Sequence, residues 1–238
     1  MCNYETIETP EKKWNYDSEI IGIDIPVVAV MGIGQNVQKF DLQLYLRSRF
    51  IDKGYKVSQI GTKKISGLFG LHPLPDFLFN TQYSDVDKVY AFNRVMKDVS
   101  MQEKPDVILL GIPDSLLPLN NKHRFSFGLY AYEIFNAVQP DFVITSLMAN
   151  DGYNDEFYSE ISKMAKYKYN VNIDAYFVSQ FCPLSNSIWS EKLSYVYLPQ
   201  MELPKTEYKV YTTSDLNNDI LFKQAEKKLL LYGKYEQY

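Results

Sequence analysis

The residues best suited to chemistry lie together in Gly32-Ile-Gly34-Gln-Asn-Val-Gln38-Lys39-Phe-Asp41. A lysine that opens a helix behind a glycine-containing loop is an anion-binding arrangement. Backbone N–H groups converge at the helix N-terminus and the ammonium adds a point charge. Glycine serves where φ must be positive or where a phosphate comes too close for a Cβ, and Gly32 and Gly34 supply that freedom. Two positions depart from a phosphate-cradling P-loop. Gln38 stands where a glycine should precede the lysine, at a cost of about 1–3 kcal/mol if its backbone must take a glycine-only conformation. Asp41 stands two residues after Lys39, where a metal-binding hydroxyl could sit. Its carboxylate is a hard ligand for Mg²⁺; without a metal it repels phosphate, and a first-turn acid is also an ordinary helix residue.

A metal-holding acid is expected at the end of a neighbouring strand. The apolar run Val107–Leu110 ends in Gly111, and the nearest acid is Asp114, in a Pro-Asp-Ser sequence that a turn explains equally well. Asp151 and Asp155, after the next strand, carry the same ambiguity. The candidate binding residues are therefore Gly32, Gly34, Gln38, Lys39, Asp41 and Asp114. No Ser/His/Asp set, carboxylate pair or Cys/His cluster has the spacing of a catalytic or metal site, and the catalytic residues stay open. His72, beside Pro73, has no partner carboxylate nearby in sequence and reads as structural. Cys2 and Cys182 make no disulfide framework, and Cys182 reads as a small apolar filler.

These residues need a scaffold. Val27–Met31 is an apolar run of buried-strand length, and Leu42, Leu46 and Phe50 fall on one helical face, so the loop joins a strand at 27–32 to a helix at 39–53. Gly54 is placed as a C-cap glycine, and Tyr55–Ile60 reads as the second strand. A helix from Ser84 or Asp85 runs to about Met101. Lys104-Pro-Asp-Val-Ile-Leu-Leu-Gly111 and Gln139-Pro-Asp-Phe-Val-Ile-Thr-Ser146 repeat one theme, in which proline ends a helix and an uninterrupted apolar strand follows. Helices at 130–138 and 154–166 and a strand at 173–179 complete the alternation. Such runs indicate parallel strands covered on both faces.

The expected fold is a three-layer α/β domain with a mostly parallel sheet, P-loop NTPase-like, with a degenerate phosphate loop. Loops 32–38, 61–83, 111–127 and 146–154 then share the carboxyl edge, where ligands bind. In the long 61–83 connection, Leu68, Phe69, Phe77 and Phe79 either cover one end of the sheet or belong to a lid. Outside this core, Ile20–Asp24 is a short strand or a lead into Pro26, and Ser194–Leu198 reads as one more strand. Thr212-Thr-Ser-Asp215 has capping-box spacing. From it an amphipathic helix is expected to run to Gly233, with Leu216, Ile220, Leu229 and Leu231 on its apolar face. That face packs on its own domain, or on another copy or an enzyme partner. The boundaries expected are a lead-in over 1–25, the α/β domain over 26–198, and a linker with a helix over 199–238.

Bulk properties narrow the function classes. The 238 residues are 46% hydrophobic, ample for a packed core, and the net charge of −4 gives no electrostatic reason to expect nucleic acid. Residues 1–20 are polar and acidic, without the apolar segment of a signal peptide, and no run approaches a membrane span. The expectation is a cytoplasmic protein.

Residues 26–180 resemble the P-loop domain of the peptide maturation system protein family. The pieces that carry the resemblance are Val28-Ala-Val-Met-Gly-Ile-Gly, Gln38-Lys-Phe-Asp-Leu-Gln-Leu, Gly54-Tyr-Lys-Val-Ser-Gln-Ile-Gly-Thr62, Gly67-Leu-Phe-Gly70 and the two Pro-Asp-strand passages. Where that family reads Gly-Lys-Phe-Thr, this chain has Gln38-Lys39-Phe40-Asp41, so both departures fall on phosphate and metal positions. The resemblance implies an accessory role in making a ribosomally synthesised, modified peptide, with a precursor peptide or a radical SAM maturase as partner. ATP or GTP with Mg²⁺ and a homodimer stay open. The alternatives are an active P-loop hydrolase or ATP-dependent ligase in the same pathway, and an unrelated α/β enzyme working at the same edge.

Overall fold

The computed structural model describes residues 19–62, 64–199 and 202–231, without the side chains of 64 and 65. Cys2, the lead-in up to residue 18 and Gly233 lie outside them.

Nine strands and six α-helices follow one another along the described residues: β1 Val27–Ile33, α1 Lys39–Asp52, β2 Val57–Gly61, β3 His72–Pro73, α2 Asp85–Glu103, β4 Val107–Gly111, α3 Leu129–Ala137, β5 Phe142–Leu147, α4 Asp155–Tyr169, β6 Ala175–Val178, β7 Phe181–Pro183, β8 Tyr195–Tyr197, β9 Val210–Tyr211, α5 Thr213–Asn217 and α6 Ile220–Leu229. Seven strands form one sheet in the order β3-β2-β4-β1-β5-β6-β9, and every pairing in it is parallel. This is the expected three-layer α/β fold of P-loop-like type. β7 and β8 form a separate antiparallel hairpin, so the strand expected at 194–198 exists but stands outside the main sheet.

Aspartates set the register. Asp106, Asp141 and Asp174 each sit at the mouth of a strand, and each carboxylate accepts a backbone N–H of the neighbouring strand: Lys56 at 2.7 Å, Val27 at 2.8 Å and Val143 at 2.9 Å. Their own N–H groups donate back to the carbonyls of Lys56, Val27 and Val143. The Pro-Asp passages thus have a physical role: proline stops the helix, and aspartate aligns the incoming strand with its neighbour.

Alternate β1 residues feed opposite cores. Val27, Ala29 and Met31 pack with Phe92 and Met96 of α2, Ile134 and Phe135 of α3, and Ala165 of α4. Val28 and Val30 pack with Leu42, Leu46 and Phe50 of α1 and with Leu221, Phe222 and Ala225 of α6. Gly54 takes φ +89° after α1, and the Ser84 hydroxyl accepts the Asp87 N–H at the head of α2. Both ends match the sequence signals.

Several expectations are corrected. Of the two forms expected for Ile20–Asp24, the lead into Pro26 is the one present, and Ile21 exchanges two 2.9 Å hydrogen bonds with the Asn93 side chain of α2. In the 61–83 connection the buried apolar side chains are Leu71, Leu74 and Leu78, while Leu68, Phe69 and Phe79 are exposed. His72 has a carboxylate partner after all, Glu103 at the end of α2, which Ser58 also contacts. The C-terminal helix is broken. Thr212 and Asp215 make the capping box, but Asp219 takes φ 57° and a new helix starts at Ile220. The break rotates the buried face onto Leu221, Phe222, Ala225 and Leu229, leaving Ile220 and Leu231 exposed. Tyr45 donates to Asp219 at 3.2 Å and Tyr55 to Glu226 at 3.3 Å, joining α6 to the α1 side.

Two outcomes check this account. Phe222→Ala should destabilise by about 3–5 kcal/mol, as a large aromatic lost from a core, with Tm falling by roughly 10 °C in a thermal melt. Asp141→Ala strands the Val27 N–H and should cost about 1–3 kcal/mol, read in urea unfolding.

Candidate functional site

β1 is buried on both faces and lies between β4 and β5. The turn after it emerges at the carboxyl edge where the chain crosses from one half of the sheet to the other, the usual ligand position in open α/β sheets. Gly32 cannot carry a side chain there. A Cβ would lie 2.8 Å from Val37 Cγ2, 2.9 Å from Lys39 Cδ and 3.0 Å from the Ser146 carbonyl. The lysine stem crosses the space the missing side chain leaves.

Three residues turn the loop with positive φ: Gly34 at 108°, Asn36 at 55° and Gln38 at 55°. Serines pin it from both neighbouring strand ends. The Ser115 hydroxyl accepts the Gly34 N–H at 2.7 Å, and the Ser146 hydroxyl donates to the Val37 carbonyl. Gln38 sits at φ 55°, ψ 24°, in the left-handed helical well. Non-glycine residues enter that well at moderate cost, so the conformation is left-handed without being glycine-only. Its side chain also makes a contact glycine could not: Gln38 Oε1 accepts the Gln180 N–H at 2.7 Å, just beyond β6. Gln38 preserves the loop geometry and anchors it across the sheet edge.

Lys39 opens α1 and is partly buried. Its ammonium donates to the backbone carbonyl of Asp114. Burial pulls its pKa from 10.5 down to about 8, against the raising effect of the Asp114 charge. Asp114 is thus brought to the loop, but its carboxylate is occupied: Oδ2 accepts the Ser126 N–H at 2.7 Å and Oδ1 accepts Gln35 Nε2 at 3.3 Å. Asp41 is exposed in the first turn of α1 and borders the cleft in front of the loop. That cleft measures about 320 Å³; Thr62, Phe181 and Tyr195 close its other sides. The first-turn N–H groups of α1 have no partners within the helix, so the cleft lies at a helix N-terminus, with its dipole and an ammonium beside it.

The metal positions are different in kind. P-loop motifs place the metal-binding hydroxyl directly after the lysine, so the residue that matters is Phe40 rather than Asp41. Phe40 is buried, its ring centroid 6.0 Å from that of Phe69. The second hold, an acid on the strand beside β1, falls at the end of β4, on Gly111. A Cβ at Gly111 would lie 2.5 Å from Thr62 Cγ2 and 2.6 Å from both Nε2 and Oε1 of the Gln43 amide. Gln43 is fully buried and donates to the Ile60 carbonyl at 3.1 Å. Its amide fills the place a metal-binding carboxylate would need. Asp41 is left as the one carboxylate bordering the cleft, and the described residues contain no cluster of three or more metal-binding side chains. The site fits phosphate and does not fit the two-point hold of Mg²⁺.

Phe40 was legible from the spacing after Lys39. Gln43, Gln180, Ser115 and Ser146 were not, because each reaches the loop through tertiary contact.

No family model and no curated protein matches the chain. Solved structures are similar in fold. A DUF1611 family protein from Anabaena variabilis aligns over 72% of this chain and 50% of its own, with 13% identity and a TM-score of 0.51. Cobyrinic acid a,c-diamide synthase from Mycobacterium smegmatis, solved with bound ADP and magnesium, aligns over 65% of this chain and 74% of its own, at 15% identity and a TM-score of 0.41. A MobB homologue from Bacillus stearothermophilus aligns over 86% and 97%, at 12% identity and a TM-score of 0.37. The chain spans half the length of the DUF1611 protein. Among the described residues, no helix is long and apolar enough to cross a membrane.

The Lys39 environment is open to titration. Its ammonium should titrate near pH 8 by NMR of labelled lysine, and an added anion such as sulfate should raise that midpoint by favouring the charged form. The linked stability has a definite sign. A lysine with a folded pKa below its unfolded one is costly while charged, so its contribution to stability improves as pH rises from about 8 to 10.5.

Proposed function

We propose that this chain binds the phosphates of a nucleotide, or of another phosphorylated ligand, at the loop 34–41 and does not hydrolyse them. It acts as an accessory binding protein whose ligand reports on or stabilises a complex. One observation carries the reading: the phosphate-binding half of the loop is kept, while Phe40 and the Gln43 amide fill the positions that would hold the metal. Hydrolysis of a nucleoside triphosphate depends on positioning and on neutralising developing charge, largely through the metal. Binding depends on the helix N-terminus, the left-handed loop and the lysine.

The resemblance to peptide maturation system proteins supplies the setting for this role, with a precursor peptide or its radical SAM maturase as the partner and a homodimer as the alternative assembly. The second reading, an active nucleotide hydrolase or ATP-dependent ligase, draws on Lys39 and on Asp41 facing the cleft.

ATP and GTP should each raise Tm to the same extent with Mg²⁺ or with EDTA, with no phosphate release over hours. Lys39→Ala should abolish the shift. Turnover of ATP that requires Mg²⁺ and disappears in Lys39→Ala would establish the second reading.

A further inference from the structure

A second cleft adjoins the loop. It measures about 460 Å³ and shares Asn36 and Tyr195 with the first. One wall is the connection from β4 to α3 and the other is the β7–β8 hairpin. The two walls are tied: Asn120 Nδ2 donates to the Ile188 carbonyl at 2.9 Å, and Lys122 Nζ to the Trp189 carbonyl at 3.0 Å. Lys122, Arg124 and Lys192 border the cleft against one acid, Glu191. The Asp114 carboxylate, which accepts from the Ser126 N–H and Gln35 Nε2, is not among the residues that border the cleft. A concave surface with an excess of one sign concentrates the field on its contents. Such a cationic cleft is unexpected on a chain of net charge −4.

Two further features point to a ligand. His123 lines this cleft, and its Nε2, itself shut off from solvent, has no hydrogen-bond partner among the described residues, where buried polar atoms are rarely left unpaired. Arg124 uses Nε on the Asn121 carbonyl at 2.8 Å. Its paired terminal nitrogens have no such bond among the described residues, and that fork matches carboxylate and phosphate geometry.

We propose that this cleft is a second anion site, taking a small polyanionic acid alongside whatever occupies the phosphate loop. Arg124 and Lys192 supply the charge, and Asn36 the junction between the two ligands. The site does not depend on the loop being filled. The carboxylate or phosphate of a separate acid and the distal tail of a loop-bound polyphosphate share the same chemistry; the proposal is the separate acid.

The test uses the full chain, with citrate as a tricarboxylate probe and inorganic tripolyphosphate as a nucleotide-tail probe, followed by NMR. Citrate should saturably shift the His123 ring signals and the amides of 122–125 and 191–193. The double variant Arg124→Gln/Lys192→Gln should weaken citrate about tenfold or more, the loss of about 1.4 kcal/mol. Glu191→Gln should tighten it, a gain that misfolding would not give. Lys39→Ala should leave citrate affinity unchanged while removing nucleotide binding, which separates failure here from failure of the loop reading. The proposal is overturned if citrate shifts none of these signals, if the double variant binds it normally, or if Lys39→Ala abolishes it. It is equally overturned if one tripolyphosphate binds with an affinity that both Lys39→Ala and the double variant destroy, since a single ligand then spans both clefts.

Discussion

The pairing of strand-mouth aspartates with neighbouring backbone holds the sheet in the one register that makes the site. Asp141 clasps Val27 from both sides, its carboxylate taking the N–H and its N–H giving to the carbonyl. A slip of one residue there would exchange the two cores, since Val27, Ala29 and Met31 face one helix layer and Val28 and Val30 the other. It would also move Gly32 away from the Lys39 stem and Ser146 away from the Val37 carbonyl. The binding edge is thus a consequence of how β1 is seated between β4 and β5.

On that scaffold the loop divides into two halves that are packed differently. The half that precedes α1 has left-handed turns, a glycine under the lysine and a helix start. The metal-facing half is packed solid. Phe40 buries a ring where a hydroxyl would be needed, and Gln43 lays its amide over Gly111. Restoring one metal ligand by substitution would leave the other place filled. The reduced pKa of Lys39 follows from an ammonium enclosed by protein, with the Asp114 carbonyl as its acceptor.

Much of the fold was legible because its signals are local. Apolar runs of strand length, proline stops and the Gly54 cap place the five central strands and four helices within a few residues. The two-residue strands β3 and β9 carried no such signal; each exists only because a neighbouring strand offers an edge. The C-terminal helix looks continuous in the sequence because its leucines keep a helical period, whereas Asp219 in the left-handed well breaks it and changes which residues are buried. At the site, Lys39, Gly32 and Gly34 were visible from spacing. The role of Gln38 was not: its departure from glycine looked like damage, and the contact with Gln180, 142 residues away, makes it a fastening.

The central claim is that the loop binds phosphate without a metal. Amide chemical shifts of residues 34–41, followed as ATP is added in EDTA, test it most directly. The account predicts saturable shifts confined to the loop and the first turn of α1. Shifts that appear only when Mg²⁺ replaces EDTA, or none at the loop in either condition, would contradict it.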